Sequence, residues 1–482
     1  MPKYFADGFK DDLVHELGDG LRSLCIIVPS PKSTSDFRSS EPLLQSCTCE
    51  ARADPSLKSK RSQMTEALLS PPSSVSQNRG SGFELLCACS TSKPTYEQIT
   101  KISTRHYADF DAEEFLRQAE HHGVVALAAR NLIEHASALP PAIRQSLAAR
   151  YAANLRRNLW FAAELLHVIK HFAENNLRAI PYKGPVLAQS AYGDLALRGF
   201  SDLDLLISPA DFARAKQSLA EIGYQPSRPL TPVVERLWLR TGYERSFDGA
   251  AGKNLLELQW RLLPYFYAVD PGPAQLEFDD LWSRSHRIAI GASQIPNNAS
   301  IAISADPSNL PCLAPEDSLL ALSLHAAKHL WTRLIWVADV AESLRAPNLD
   351  LEQVIKRARA AGITRILGIS FWLANNLLSA PVPTAAQKLI DADPAIPLLG
   401  HACSDRLARG ATYDFDSAEY FRQTAQLRES RSDRWRYLWR LIWTPGPGDV
   451  EAVTLPGFMF PLYHGVRSAR LLRKLVRSSG LK

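Results

Sequence analysis

After Asn176 the period of the chain changes. LRAIPYKG reads as a short strand ending at Lys183-Gly184, and GPVLAQSAYGD as a helix. SDLDLLIS reads as a second strand, and PADFARAKQSLAEIGY as a helix begun by Pro209 and stopped near Gly223. This alternation marks a compact α/β unit. Extended segments around GYERSFD and NLLELQW carry the sheet onward, the second with Glu257 and Gln259 alternating against Leu256, Leu258 and Trp260.

Helices flank this unit on both sides. Upstream, FELLCACS, AEEFLRQAEHHGVVALAARNLI and a long segment ending HVIKHFAENN keep helical spacing, the last through Leu147, Tyr151, Leu155, Leu159, Leu166 and Ile169. From Pro315 the pattern is again helical, and LSLHAAKHLWTRLIWVADV reads as one helix with His325, His329, Thr332, Trp336 and Asp339 on one side. The expected fold is α+β, a small mixed sheet with helices between N- and C-terminal helical regions. Its expected divisions are a helical region 83–176, an α/β core 177–310, a helical domain 311–427 and a basic helical end 428–482. Residues 28 to 82 are crowded with Ser, Pro, Lys, Arg and Gln, so 1–82 is expected to be disordered or a misassigned extension, with Met64 as the natural start.

Composition narrows the classes. A chain of 482 residues at 46% hydrophobic content can bury sizeable cores, and 55 basic against 50 acidic side chains are too near balance to announce a nucleic-acid protein. No apolar stretch approaches the ~18 residues of a membrane span, the start is too acidic for a signal peptide, and the default compartment is the cytosol. The charge is uneven, however. Residues 428–482 hold eleven basic side chains against Glu429, Asp433, Asp449 and Glu451, a local charge of +7. There Arg, Trp, Leu and Val interleave at helical spacing, and helices packed by their apolar sides are preferred to a membrane or nucleic-acid patch. Cys47/Cys49 and Cys87/Cys89 lack the partners of a zinc ribbon and read as reduced thiols; Cys312 and Cys403 read as small buried side chains.

Four D-x-D pairs occur. Asp109/Asp111, Asp391/Asp393 and Asp414/Asp416 sit at helix starts or in polar loops and read as capping or solvated carboxylates. Asp202/Asp204 differs, because strand alternation puts both carboxylates on one face while Leu203, Leu205 and Ile207 take the other. Two like charges held side by side repel unless a cation resolves them, and hard oxygen ligands suit Mg²⁺ bound through a substrate phosphate.

The order of Lys183-Gly184, helix, Arg198 and paired carboxylates resembles the polymerase-β-like nucleotidyltransferase superfamily. More closely, it resembles a bacterial family of uncharacterised nucleotidyltransferases with the pattern K-G-x-x-x-A, Y-x-D and R-x-x-x-D-x-D-L-L. Here those residues are Lys183, Gly184, Ala188, Tyr192, Asp194, Arg198, Asp202, Asp204, Leu205 and Leu206. The likeness continues through Leu322 to Asp339 and into TLPGFMFPLYHGVRSARLLRKL.

The resemblance implies a Mg²⁺-dependent enzyme that moves a nucleoside monophosphate from an NTP to an unidentified acceptor hydroxyl, releasing pyrophosphate. It implies a two-metal site, with Asp202 and Asp204 as ligands and Glu257 as third ligand or base. The family tends to carry an aspartate followed two residues on by histidine, where this chain has Glu257 and Gln259. Lys183, Gly184 and Arg198 are expected to bind triphosphate, with the helix bearing His325 and Lys328 facing the nucleotide. A surface lysine at a turn, an Arg198 paired with Asp202 or Asp194, and a core His325 remain as structural alternatives. The alternative function is a nucleotidyltransferase fold without turnover that binds a partner.

Overall fold

The computed structural model describes residues 82–478 apart from 108–109, 250–253, 291–308, 415–416, 454, 457–458 and 460. The expectations for residues 1–81, including a start at Met64 and the Cys47/Cys49 pair, lie outside the described residues.

The architecture is mostly helical, around a small mixed sheet. The sheet runs β1-β2-β5-β4-β3, from β1 (Ala179–Pro181), β2 (Asp202–Ile207), β3 (Gln225–Pro226), β4 (Glu244–Asp248) and β5 (Leu255–Gln259). β2 and β5 are parallel neighbours at its centre, while β1 pairs with β2, β4 with β5 and β3 with β4 in antiparallel fashion. A separate hairpin joins β6 (His286–Ala289) to β7 (Asn309–Cys312).

Alternation along the strands decides what each face meets. Leu203, Leu205 and Ile207 of β2, Phe247 of β4 and Leu256 and Leu258 of β5 are buried in one core with Phe161, Leu165, Val168 and Phe172 of the long helix Pro141–Glu174. Leu219 of the helix Phe212–Glu221 closes the same layer. The opposite face starts acidic at Asp202 and Asp204 and becomes apolar at Leu206, which joins a second, larger core with Ile180. That core also holds Phe83, Leu127 and Leu132 from the N-terminal helices together with Leu320, Val340, Ile366 and Phe371 from the helices after residue 313. Helices before and after the sheet in sequence therefore share one apolar interior over the acidic face. Each fully buried aliphatic side chain there contributes about 1.5–3 kcal/mol of transfer free energy.

The segment read as one helix over 322–340 is two. The first ends at Lys328 (Pro315–Lys328), and the second runs Leu334–Ser343. Between them Leu330 and Trp331 both take φ of +50°, a left-handed turn without glycine or proline. Burial supplies the compensation: Trp331 is fully buried and its indole N–H donates to Ser370 Oγ at 3.1 Å. Tertiary packing overrides the local helical period here.

Smaller expectations are met locally. Asp111 caps the helix Ala112–His121 by accepting from Glu114 N at 2.9 Å, and Asp393 accepts from Ala395 N at 3.0 Å at the start of the next helix, though it also carries an ion pair to Arg365 that was not expected. Cys87, Cys89, Cys312 and Cys403 are free and buried. No described helix is long and apolar enough to cross a membrane.

Candidate active site

Parallel pairing of β2 with β5 sets Asp204 directly beside Glu257. Ligand oxygens of Asp202, Asp204 and Glu257 all lie within 4.8 Å of one another. Asp204 is buried, whereas Asp202 and Glu257 are half-buried and open to one side. Sheet register also brings Glu244 of β4 opposite Gln259, adding a fourth carboxylate that the sequence reading did not single out. Its signal was present in the alternation of GYERSFD, but only the strand order shows that this strand lies beside NLLELQW.

Gln259 sits among these acids. Its amide nitrogen is 3.0 Å from Asp204 Oδ1, 3.1 Å from Glu257 Oε2 and 3.3 Å from Glu244 Oε2. The Tyr182 hydroxyl donates to its Oε1 at 2.5 Å. A neutral donor thus links the carboxylates without titrating.

Lys183 and Lys328 face the same acids. Lys183 Nζ is 2.6 Å from Asp204 Oδ1 with both side chains buried, and that pairing, with Asp202 and Glu257 nearby, outweighs the cost of burial and holds the ammonium well above its ordinary value. Lys183 is thereby committed to a carboxylate. Lys328 donates to the Tyr243 hydroxyl at 3.1 Å, lies 4.0 Å from Glu244 Oε2 and sits over the Tyr243 ring. The Tyr243 hydroxyl in turn donates to Glu244 Oε1.

The balance stays negative around Glu257. Burial, followed by the charges of Glu244 and Asp204, pushes the Glu257 carboxyl up to about 8. Asp202 is raised by burial and by Asp204. An all-oxygen donor set in which burial and then mutual repulsion hold a proton on one member suits a hard divalent cation, which would relieve that repulsion. The residues present fit a magnesium-type ion.

Gly184 opens the helix Gly184–Tyr192 with φ of +57°, and a Cβ placed there would stand 3.6 Å from the Asp202 carbonyl oxygen. Glycine takes that conformation without strain, and it carries the chain from Lys183 into the helix beside β2.

Arg198 points elsewhere. It forms a two-pronged pair with Asp339, Nε to Oδ1 at 2.7 Å and Nη2 to Oδ2 at 2.9 Å, and the Tyr192 hydroxyl donates to Oδ1 at 2.7 Å. All three are buried, so Arg198 ties the loop before β2 to the helix Leu334–Ser343. Its carboxylate partner is Asp339 rather than Asp202 or Asp194. Asp194 shapes the same loop by accepting from Ala196 N at 2.8 Å, and Asn158 of the long helix donates to the carbonyls of Leu195 and Arg198.

His325 is half-buried near the cluster. Burial, then the positive charge of Lys183, lowers it well below the ordinary histidine value, so it is neutral at pH 7. Its ring lies 4.8 Å from that of His329, which stacks on Trp336 at 4.6 Å. Arg333, at the start of the helix Leu334–Ser343, was not singled out as a site residue. Burial lowers its guanidinium and the Asp202 carboxylate opposes that lowering, which puts Arg333 in the field of the acidic cluster.

The family described as uncharacterised nucleotidyltransferase matches residues 108–379, more than half of the chain. The chain belongs to that family. The matched span contains both strands of the acidic site, the Tyr192–Arg198–Asp339 cluster and the histidine-bearing helix. No curated protein and no solved structure matches the chain.

Proposed function

We propose that the protein is a divalent-cation-dependent nucleotidyltransferase of the polymerase-β-like type, moving a nucleoside monophosphate from an NTP to an acceptor hydroxyl. The observation that carries this reading is the convergence of Asp202, Asp204 and Glu257 within 4.8 Å on two parallel strands, with Glu257 raised to about 8. Asp202, Asp204 and Glu257 would hold Mg²⁺, which when bound neutralises phosphate charge and stabilises the attacking and leaving oxygens.

The protein's own groups have distinct tasks. In the transfer, the acceptor oxygen forms a bond to the α-phosphorus, the bond to the bridging oxygen of pyrophosphate breaks, and the acceptor proton passes to a base. Glu257 would take that proton only in its unprotonated form, with an oxygen left outside the metal's ligand set. Lys183 keeps Asp204 paired within the buried wall, and Gln259 orients Asp204, Glu257 and Glu244. Lys328, at the edge of the cluster beside Glu244, is better placed than Arg198 to meet polyphosphate oxygens, because Arg198 is spent on Asp339; Arg198 positions β2. His325, neutral and beside the cluster, offers a ring nitrogen to nucleotide.

The commitment of Lys183 to Asp204 also supports a second reading, a nucleotidyltransferase fold that binds nucleotide without turnover. Labelled NTP incubated with Mg²⁺, the protein and a pool of cell metabolites and macromolecules separates the two. The enzyme reading predicts label transfer and pyrophosphate release that Asp202→Asn lowers by at least about a hundredfold, a loss of about 2.7 kcal/mol of transition-state stabilisation. Cation-dependent NTP binding without release would instead establish the binding protein.

A further inference from the structure

The helix Arg431–Trp443 buries one side and exposes the other. Tyr437 and Leu441 face inward, where Tyr437 is fully buried beside Ala268. Trp435, Leu438, Trp439, Ile442 and Trp443 recur at i, i+3, i+4, i+7 and i+8 on the outer side, with Trp435 74% and Trp439 62% exposed. A contiguous stripe of this kind on a protein surface marks an interaction site, since single exposed apolar residues are ordinary but a full helical face is not.

Charge around the stripe identifies its partner. Three of the four acids in the +7 segment are turned inward: Glu429 accepts from Arg365 N, Asp433 accepts from Ser430 and Arg436, and Asp449 binds Arg467 and Arg470. Arg431 and Arg434 stand exposed at the first turn of the striped helix, and Arg473 is exposed on the neighbouring helix Leu462–Ser478. The segment therefore shows tryptophans, aliphatic side chains and arginines outward, with Asp433 and Asp449 paired to its own arginines.

We propose that this face docks the protein on an anionic lipid surface. Tryptophan rings and the aliphatic pair would enter the headgroup boundary, while the arginines meet lipid phosphates. A second copy of the chain is a poorer occupant, because it would bring two segments of +7 together. Single-stranded nucleic acid is also poorer. Base stacking uses aromatic faces along a basic groove, whereas here Leu438 and Ile442 fill the spaces between tryptophans on a convex helix.

The test uses the full chain with vesicles of phosphatidylcholine containing one quarter phosphatidylglycerol, and with pure phosphatidylcholine, read by co-sedimentation and tryptophan emission. Binding to the anionic vesicles is expected, with a blue shift, weakening as salt rises and little binding to neutral ones. Trp435→Ala/Trp439→Ala/Trp443→Ala should weaken it by about tenfold or more, and Arg431→Gln/Arg434→Gln by about fivefold per arginine, the equivalent of about 1 kcal/mol each. Both variants should retain wild-type circular dichroism and divalent-cation binding, since none of these residues approaches the acidic site.

Absent binding to anionic vesicles, or triple-variant binding equal to wild type, would overturn the proposal. A concentration-dependent dimer, or oligonucleotide binding, that the triple variant loses would overturn it in favour of self-association or nucleic acid.

Discussion

Glu257 is the residue on which pH should act. Its carboxyl titrates near 8 in the folded chain against an ordinary value of 4.5, so between those values the native state holds a proton that the unfolded state has released. A raised carboxyl pKa means that stability falls as pH rises through this window and levels off above it. A cation must displace that proton. Divalent-cation affinity should therefore climb by up to about tenfold per pH unit below 8 and flatten above, and Glu257→Gln should remove the slope. Calorimetric titration with Mn²⁺ across that range checks this; a pH-independent wild-type affinity would contradict the placement of Glu257 in the ligand set. Asp202 and Asp204 were legible because strand alternation puts like charges on one face, and Glu257 only through the family resemblance. Glu244 and Arg333 were not, since their nearness depends on sheet order and on a turn that no local pattern announces.

At the scale of elements, the motif residues Tyr192, Arg198 and Asp339 bind one another, joining the helix Gly184–Tyr192, the loop before β2 and the helix Leu334–Ser343. Removing Asp339 would leave Arg198 buried without its carboxylate. Asp339→Ala should cost about 3–5 kcal/mol in urea unfolding, and Tyr192→Phe only about 1 kcal/mol. Equal and small losses in both would show that the cluster does not hold these elements together. Strands β1, β2, β4 and β5 were readable from alternation and flanking turn residues. The break at Leu330 and Trp331 was not, because apolar residues continue at helical spacing through it and only the buried Trp331–Ser370 contact explains why the chain turns.

Across the described residues, the acidic face of a small sheet lies under a helical lobe whose core draws on helices both before and after the sheet. The lobe reaches the site through Lys328, whose backbone carbonyl accepts from the hydroxyls of Tyr267 and Tyr420 at 3.2 and 2.7 Å while its ammonium group faces Tyr243. Local helical periods revealed that helices flank the sheet, but not that the two flanks merge into one interior, since long-range packing has no sequence period. At this scale the acidic convergence should act as a cation site. A Mn²⁺ titration at pH 8, read by electron paramagnetic resonance with Mg²⁺ as competitor, compares wild type with Asp202→Asn/Glu257→Gln. Saturable binding displaced by Mg²⁺ and weakened more than about a hundredfold in the variant, beyond the range for outer-shell groups, is the predicted result. Equal Mn²⁺ affinity in the two proteins would contradict it.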